Sequence, residues 1–351
     1  MPRVLEDFKE TRVAARRLPD WIRRDLSTGQ EASRTDALLK EFGLHTICES
    51  GRCPNRNECY SQKTVTFMIM GDLCTRSCAF CSVSTGRPEA LDTDEPRRVA
   101  EAVRTLGLKH VVITSVNRDD LPDEGAGHFV EVIRELKKKS SGLIVEILTP
   151  DFRRTQRQAV ALIVKEGPDI FNHNTETVPR LYKRVRPQGD YDRSLQIFKE
   201  IRKHSGSLLI KSGLMLGLGE TKKEVLEVLK DLRSVDCQML TLGQYLKSSA
   251  LGLPVEAYIH PDQFLYYKNE AKAMGFTWVE SAPFVRSSFH AKESFAGLNI
   301  LLKTNGSNTV GMRSLVDPGE SPQDKFPPKG AADSPHKEPL DRFADALWRT
   351  R

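Results

Sequence analysis

Six of the seven cysteines in the chain lie within 34 residues and form two consecutive triplets. The first triplet has the spacing C-x4-C-x5-C, and the second has the spacing C-x3-C-x2-C. Three neighbouring thiolates make a soft, anionic pocket of the kind that holds iron–sulfur clusters or zinc. Three thiolates on a four-iron, four-sulfur cluster leave one iron free to bind another molecule. The candidate ligands are Cys48, Cys53, Cys59, Cys74, Cys78 and Cys81.

Structural zinc and disulfide bonds are the two other uses of such cysteines. A structural zinc site takes four ligands, usually as two C-x2-C pairs, and two sets of three do not match that pattern. Disulfides are typical of small, loop-rich chains in oxidising surroundings. This chain has 351 residues, 28% of them charged, and opens without an apolar signal segment. Iron–sulfur ligation is therefore favoured, and the seventh cysteine, Cys237, is assigned a buried structural position.

The overall charge and hydropathy narrow the class of protein. The net charge of +6 is spread along the chain, whereas nucleic-acid-binding proteins usually concentrate basic residues in one patch. No apolar run approaches the roughly 20 residues of a membrane span. We therefore expect a cytoplasmic protein that binds neither membrane nor nucleic acid.

The elements that must position these cysteines form a βα series. Candidate strands lie at 64–70, 110–115, 143–148, 169–174, 208–215 and 238–242. Amphipathic helical patterns lie between them at 96–106, 129–138, 156–165, 194–204 and 222–234. Short apolar strands joined by helices imply a parallel sheet, and six such units predict an incomplete TIM-type (β/α)6 barrel. A flat doubly wound sheet is the alternative, and in both folds ligands bind at the carboxyl ends of the strands.

The chain divides into three predicted parts. Residues 1–60 form an N-terminal extension that carries the first triplet, and residues 61–296 form the barrel. Residues 297–351 are predicted to be a flexible tail. Six of the 19 prolines lie at 304–339, where large apolar residues are few.

The position of the second triplet resembles that of the radical S-adenosylmethionine (SAM) superfamily. In this superfamily a C-x3-C-x2-C loop follows the first strand of a βα barrel, with an aromatic residue before the last cysteine, as Phe80 is here. The resemblance implies that Cys74, Cys78 and Cys81 hold a four-iron, four-sulfur cluster whose free iron binds SAM. Reductive cleavage of SAM would then yield a 5′-deoxyadenosyl radical.

The first triplet narrows the resemblance to the lipoyl synthase family. The run ESGRCPNRNEC at 49–59 is similar to the auxiliary-cluster segment of that family. The similarity covers residues 18–292 and extends to LHTIC at 44–48, TSVNRDDLP at 114–122, FNHNTETV at 171–178, KSGLMLGLGET at 211–221 and VRSSFHA at 285–291. The last segment resembles the family's R-S-S-Y, which implies that Ser288 joins Cys48, Cys53 and Cys59 as fourth ligand of a second cluster. A serine oxygen is a harder ligand than thiolate, which suits a cluster that must give up sulfide.

This resemblance also implies a reaction, a substrate and partners. Two sulfur atoms from the auxiliary cluster are inserted at C6 and C8 of an octanoyl chain, which is carried as an amide on a lysine. The carriers are the lipoyl domains of 2-oxoacid dehydrogenase complexes and the H protein of glycine cleavage. An electron donor and an iron–sulfur carrier are further implied partners, and no side chain is expected to act as a general acid or base. The alternatives are another sulfur-inserting radical SAM enzyme, such as a methylthiotransferase, and a zinc-stabilised nucleic-acid-binding protein.

Three further polar residues are predicted to contact SAM. Asn117 follows the second predicted strand, Asn174 is the last residue of the fourth, and Glu176 follows it. The sequence departs from the family pattern at three places. Asn117 replaces a common aspartate, Glu124 interrupts a usual Gly-Gly pair, and Phe289 stands where tyrosine is usual.

Overall fold

Strands and helices alternate along the chain in the computed structural model, which describes residues 11–12, 18–23 and 29–288. The strands are β1 (Thr11–Arg12), β2 (Thr66–Ile69), β3 (Leu73–Cys74), β4 (Ser84–Thr85), β5 (His110–Ser115), β6 (Ile144–Leu148), β7 (Ile170–Asn172), β8 (Leu209–Leu216), β9 (Met239–Gln244), β10 (Ala257–Tyr258) and β11 (Trp278–Ser281). The α-helices are α1 (Gln30–Glu41), α2 (Ile47–Ser50), α3 (Arg56–Ser61), α4 (Glu95–Leu106), α5 (Ala126–Lys139), α6 (Gln156–Glu166), α7 (Tyr182–Val185), α8 (Tyr191–His204), α9 (Lys222–Ser234) and α10 (Pro261–Ala273). Short 3-10 turns lie at Asp20–Ile22 and Pro179–Leu181.

Seven parallel strands of the described residues form one sheet in the order β11-β9-β8-β7-β6-β5-β2. Each strand pairs with the strand of the preceding βα unit, as expected when every crossover has the same hand. The sheet is not closed, since β2 and β11 are its two edges. The predicted incomplete βα barrel is confirmed, with one strand more than the six that the sequence pattern indicated.

Local sequence signals fix where the helices of the barrel begin and end. Thr221 and Glu224 form a reciprocal capping box at the start of α9. The carboxylate of Asp190 accepts the backbone N–H of Arg193 at the start of α8. Gly107 ends α4 with a φ of +68°, a left-handed conformation that glycine adopts without strain. The predicted helices therefore lie within a few residues of the observed ones.

The floor of the barrel is apolar. Ile144, Ile170, Leu209 and Met239 come from four neighbouring strands and form a small buried cluster, against which Trp278 packs. Because parallel strands run in one direction, this cluster fills the amino-terminal end and leaves the carboxyl-terminal end for the polar residues.

The gap between the two edge strands is bridged by side chains. Thr66 in β2 donates a hydrogen bond from Oγ1 to Ser288 Oγ at 2.5 Å, although 222 residues separate the two. Asn55, in the loop before α3, donates to the carbonyl of Phe284 at 2.7 Å. The segment that follows β11 therefore reaches back to the beginning of the barrel.

The predicted division of the chain at residues 60 and 296 stays a prediction, and the predicted tail at 297–351 lies outside the described residues. In the described part of the chain, no helix combines the length and apolar character that crossing a membrane requires.

Candidate functional site

The second cysteine triplet lies in a loop directly after β2, as the sequence predicts. The chain leaves β2 through Met70 and Gly71, whose φ angles are +70° and +89°. The short strands β3 and β4 then pair in parallel and pin the two ends of the loop together, with Cys74 opposite Thr85. All three cysteines thus lie in one short, closed loop at the carboxyl end of the first barrel strand.

Backbone and side-chain N–H groups point at the sulfur atoms of this loop. Cys74 Sγ accepts from the backbone nitrogens of Asn117 at 3.3 Å and Arg76 at 3.4 Å. Asn117 Nδ2 lies 3.6 Å from the same sulfur, and the backbone nitrogen of Val83 lies 3.5 Å from Cys81 Sγ. Such donors stabilise negative charge on sulfur, and they suit thiolate ligands of an iron–sulfur cluster.

A buried ion network holds this loop against the barrel. The guanidinium of Arg76 donates to Asp119 Oδ1 at 2.6 Å and to Asp151 Oδ1 at 2.6 Å. Arg193 Nε lies 3.1 Å from the other oxygen of Asp151. Because the Arg76 side chain is only 4% exposed, the loop is fixed by charge-assisted contacts that solvent screens weakly.

Burial favours the protonated form of three of the candidate ligand thiols. Burial raises the pKa of Cys81 to about 12 and also raises that of Cys78, where the charge of Arg186 opposes the shift. Burial and the neighbouring Cys53 raise the pKa of Cys48 to about 11. Iron binding displaces such protons, because the thiolate is the ligand.

The first triplet lies on two short helices beside the edge strand β2. Cys48 is in α2, whose first turn is capped by the side chain of Thr46, and Cys59 is in α3. Cys53 lies between them, and its backbone nitrogen donates to the carbonyl of Cys48 at 3.0 Å. A β-bridge from Thr46 to Phe67 attaches this segment to β2. The segment that carries the first triplet therefore packs on the barrel edge.

Thr66 brings the predicted auxiliary ligands together. Its hydroxyl donates to Ser288 Oγ, and the Thr66 side chain also lies close enough to Cys48 to interact with its thiol. Ser287, the other member of the pair, instead accepts from Asn174 Nδ2 at 2.9 Å. The two serines thus point to different partners, and Ser288 is the one on the side of the first triplet. Phe289 lies outside the described residues.

Among the described residues, neither triplet is arranged to bind a single metal ion. Within residues 11–12, 18–23 and 29–288, no three His, Cys, Asp or Glu side chains are arranged to hold one metal ion. A four-iron cluster has a different requirement, because each thiolate binds its own iron at a separate corner. The loop of thiols with converging N–H donors fits that requirement.

The predicted SAM contacts at the end of β7 are buried polar groups. Asn174 Oδ1 is buried, and within the described part of the chain it has no hydrogen-bond partner. Burial raises the pKa of the nearby Glu176 carboxyl, against the opposing charge of Arg186. A Cβ on Gly213 would lie 2.5 Å from Thr241 Oγ1 and 2.9 Å from Asn174 Oδ1, so glycine is required for this close packing. An open amide oxygen beside a carboxylate fits an ammonium group such as the amino group of SAM.

Asn117 has a different placement from Asn174 and Glu176. Both of its nitrogens point at Cys74 Sγ, which an aspartate side chain could not do in the same way because it has no N–H group. Glu124 also has a structural position. Its backbone φ is +54°, and its carboxylate accepts the backbone N–H groups of Arg154 and Thr155 just before α6.

Two residues of this site were missed by sequence reasoning. Arg186 donates to the carbonyl of Asn174 at 2.9 Å and is buried near Cys78 and Glu176. It lies in a loop after α7, where no motif or spacing distinguishes it from other arginines. Thr66 falls within the predicted strand at 64–70, and a polar residue at the start of the apolar run TFMI is the signal that marks it.

The comparisons with known proteins agree with this geometry. The family model of the Radical SAM superfamily matches residues 68–232, so the fold and the cysteine loop define a radical SAM enzyme. A lipoyl synthase from Caldanaerobacter subterraneus subsp. tengcongensis is 52% identical over 276 residues, which cover 78% of this chain and 96% of the relative. A lipoyl synthase from Burkholderia pseudomallei (strain 668) is 51% identical over 284 residues, or 81% and 86% of the two chains. The chain belongs to the lipoyl synthase family.

Among solved structures, methylornithine synthase has a TM-score of 0.48 and 14% identity, covering 78% of this chain and 96% of the other. The family assignment rests on the sequence relatives. It confirms the predicted superfamily and the predicted class of sulfur-inserting enzyme.

Proposed function

We propose that the two triplets hold two four-iron, four-sulfur clusters with separate tasks. Cys74, Cys78 and Cys81 would hold the cluster whose free iron binds SAM. The auxiliary cluster would be held by the other set, Cys48, Cys53, Cys59 and Ser288. The observation that carries this proposal is the contact of Thr66 with both Cys48 and Ser288, which joins the parts of the second set across the open barrel.

When bound, the first cluster supplies the electron that cleaves SAM, and the second supplies the sulfur atoms for C6 and C8 of the octanoyl chain. The described residues bind and orient these groups. Asn117 and the loop amides stabilise the thiolate of Cys74. Asn174 and Glu176 receive the SAM amino group, and the charge of Arg186 balances the buried Glu176.

The substrate in this proposal is an octanoyl-lysine on a lipoyl carrier domain of a 2-oxoacid dehydrogenase complex or on the glycine cleavage H protein. An electron donor and an iron–sulfur carrier serve the two clusters, and the reaction takes place in the cytoplasm. The shared family favours this function over a methylthiotransferase or a zinc-stabilised nucleic-acid-binding protein.

Metal analysis of protein purified without oxygen tests the two-cluster proposal. Iron, zinc and labile sulfide would be counted in the wild type, Cys53→Ala, Cys78→Ala and the double variant. We expect two clusters in the wild type, one in each single variant and none in the double variant. Cys237→Ala is the matched control, because Cys237 is fully buried in the apolar core and should leave both clusters in place. A zinc-loaded wild type without sulfide would contradict the proposal.

A further inference from the structure

A lysine ammonium is buried inside the barrel next to the serine pair. Lys211 lies in β8, and its side chain is 4% exposed. Its Nζ donates to Glu146 Oε1 at 2.8 Å and to the backbone carbonyl of Ser287. A buried ammonium is costly unless it is paired and hydrogen-bonded, so both contacts are needed to keep it there.

Glu146 is itself fixed from both sides. Asn172 Nδ2 donates to Glu146 Oε1 at 3.1 Å, and His110 Nε2 lies 3.2 Å from Oε2. The ammonium of Lys211 also lies 5.2 Å from the centre of the Trp278 ring. The direction of the lysine side chain is therefore set by residues of the strands on one side of β8 and by the Trp278 ring of β11 on the other.

The segment that carries Ser288 depends on such contacts. It lies beyond the end of β11, and among the described residues its backbone hydrogen bonds to the sheet end at Pro283, whose carbonyl accepts from Gln244 in β9 at 3.1 Å. Side chains hold the residues beyond Pro283, through Asn55 to the carbonyl of Phe284, Asn174 to the hydroxyl of Ser287 and Thr66 to the hydroxyl of Ser288. Lys211 adds a charge-assisted bond, a type roughly twice as strong as a neutral one. It also acts on the backbone, which sets where the next side chain points.

We propose that Lys211, oriented by Glu146, is a positioning residue for the fourth ligand of the auxiliary cluster. By holding the Ser287 carbonyl toward the barrel interior, it directs the Ser288 hydroxyl toward Thr66 and the first triplet. Its positive charge, one peptide away from the ligand, also favours an anionic cluster at this place. This inference rests on the proposed role of Ser288.

The test compares Lys211→Met with Lys268→Met in full-length protein purified without oxygen. Lys268 is a matched control, since its Nζ also faces a glutamate, Glu280 Oε2 at 3.4 Å, but does not reach the serine pair. Hydrogen exchange at residues 285–288, labile sulfide, 5′-deoxyadenosine and lipoyl product would be measured. In Lys211→Met we expect about tenfold faster exchange and about a tenfold loss of lipoyl product, with part of the sulfide lost. Deoxyadenosine should stay within about twofold of the wild type, because the SAM cluster has its own ligands.

A second variant guards against a general loss of folding. Lys211→Met leaves Glu146 without its lysine partner, so the double variant Lys211→Met/Glu146→Gln removes both charges. It should show the same fast exchange at 285–288 while the exchange of α8 and α9 stays at wild-type rates. Wild-type exchange and sulfide in both variants would overturn the proposal.

The Ser288→Ala variant separates this inference from the proposed function beneath it. If Ser288→Ala keeps its sulfide and its lipoyl product, the assignment of the ligand is wrong. If Ser288→Ala loses the product while Lys211→Met behaves like Lys268→Met, only the positioning role of Lys211 is wrong.

Discussion

The two neighbouring serines after β11 have different hydrogen-bond partners. Ser288 Oγ accepts from Thr66, which also contacts Cys48. Ser287 Oγ accepts from Asn174, on the side of the predicted SAM contacts. A sequence motif alone marks the pair, whereas the hydrogen-bond partners distinguish its members.

Replacing the two serines in turn should therefore have unequal effects. Ser288→Ala removes the proposed oxygen ligand but leaves three thiolates, so the chain should fold and cleave SAM while lipoyl formation falls below about 1% of wild type. Ser287→Ala loses one hydrogen bond, which is worth about 1 kcal/mol, and should keep most of its activity. Lipoyl product and 5′-deoxyadenosine would be counted for both. The reverse order of severity would move the ligand to Ser287.

The buried side chain of His173 makes the stability of the fold depend on pH. Its Nδ1 lies 2.9 Å from the carbonyl of Thr149, an acceptor, so this nitrogen carries the proton of the neutral ring. Burial, with help from the charge of Arg186, lowers the pKa of His173 to about 4. The unfolded chain binds a proton near pH 6.5, whereas the folded chain resists it until about pH 4. The contribution of the neutral His173 to the free energy of unfolding is therefore fully present above about pH 6.5 and is lost as the pH falls toward about 4.

Removing the imidazole of His173 should reduce the dependence of the melting temperature on pH. We expect the melting temperature of the wild type to fall more steeply from about pH 7 to about pH 5 than that of His173→Gln, although the variant starts lower. His204→Gln serves as the control, because His204 is exposed at the end of α8. Parallel slopes for wild type and His173→Gln in differential scanning fluorimetry would contradict the buried neutral state.

At the scale of single residues, the sequence could predict that the cysteines are candidate ligands, but not which residues contact or orient the candidate ligands. Spacing marks the two triplets, because six cysteines close together in the chain have few other uses. Thr66, Arg186 and Lys211 carry no such signature, since each is an ordinary residue until the fold brings it near a distant partner. Lys211 in particular stands in an apolar strand, and its counter-charge Glu146 lies two strands away.

The two triplets lie on different elements, which fits the separate tasks proposed for them. The second occupies a loop closed by β3 and β4, whereas the first is spread over α2 and α3 beside β2. The loop can keep its shape without the helices, because its own contacts run to Asp119 and Asp151.

Substitutions in the two elements should therefore fail differently. Cys78→Ala should form no 5′-deoxyadenosine and no lipoyl product, because one ligand of the SAM-binding cluster is lost. Cys53→Ala should still form deoxyadenosine but no lipoyl product, because only the sulfur source is damaged. Both products would be counted after anaerobic reduction with SAM and an octanoylated carrier. Lipoyl product from Cys53→Ala would contradict the sulfur-donor role.

Element prediction succeeded where apolar runs were bounded by clear caps. The strand at His110–Ser115 and the helix at Lys222–Ser234 lie at their predicted positions. The seventh barrel strand, β11, was missed because its four residues include a partly exposed tryptophan and a glutamate, a pattern also typical of loops. Its place beside β9 is a property of the sheet and not of those four residues.

At the scale of the whole molecule, the order of the strands follows from the order of the βα units along the chain. This made the open barrel predictable, together with the edge that bears the polar residues. The contact from Ser288 to Thr66 was not predictable from patterns in either segment, because it joins residues 222 positions apart.

The proline-rich region outside the described residues gives a prediction at the same scale. Because large apolar residues are few at 304–339, we expect a chain that stops after residue 303 to keep the melting temperature of the full-length chain. Its lipoyl activity should stay within about twofold of the full length. The two chains would be compared after anaerobic purification, with iron content as the control for equal cluster loading. A lost cluster or a large drop in melting temperature would show that this region is required.

The bridge between the two barrel edges has a consequence for the entropy of the unfolded chain. A cluster bound by the first triplet and Ser288 would close a loop of more than 222 residues, whereas the SAM-binding ligands span eight. In the loop-closure treatment of crosslinks, a link across 222 residues stabilises by about 3 kcal/mol more than one across eight. Cys53→Ala should then melt about 5 °C below Cys78→Ala, and equal melting temperatures would contradict the long link. An enzyme molecule that has given up its auxiliary sulfur should likewise unfold more readily than one that has yet to react.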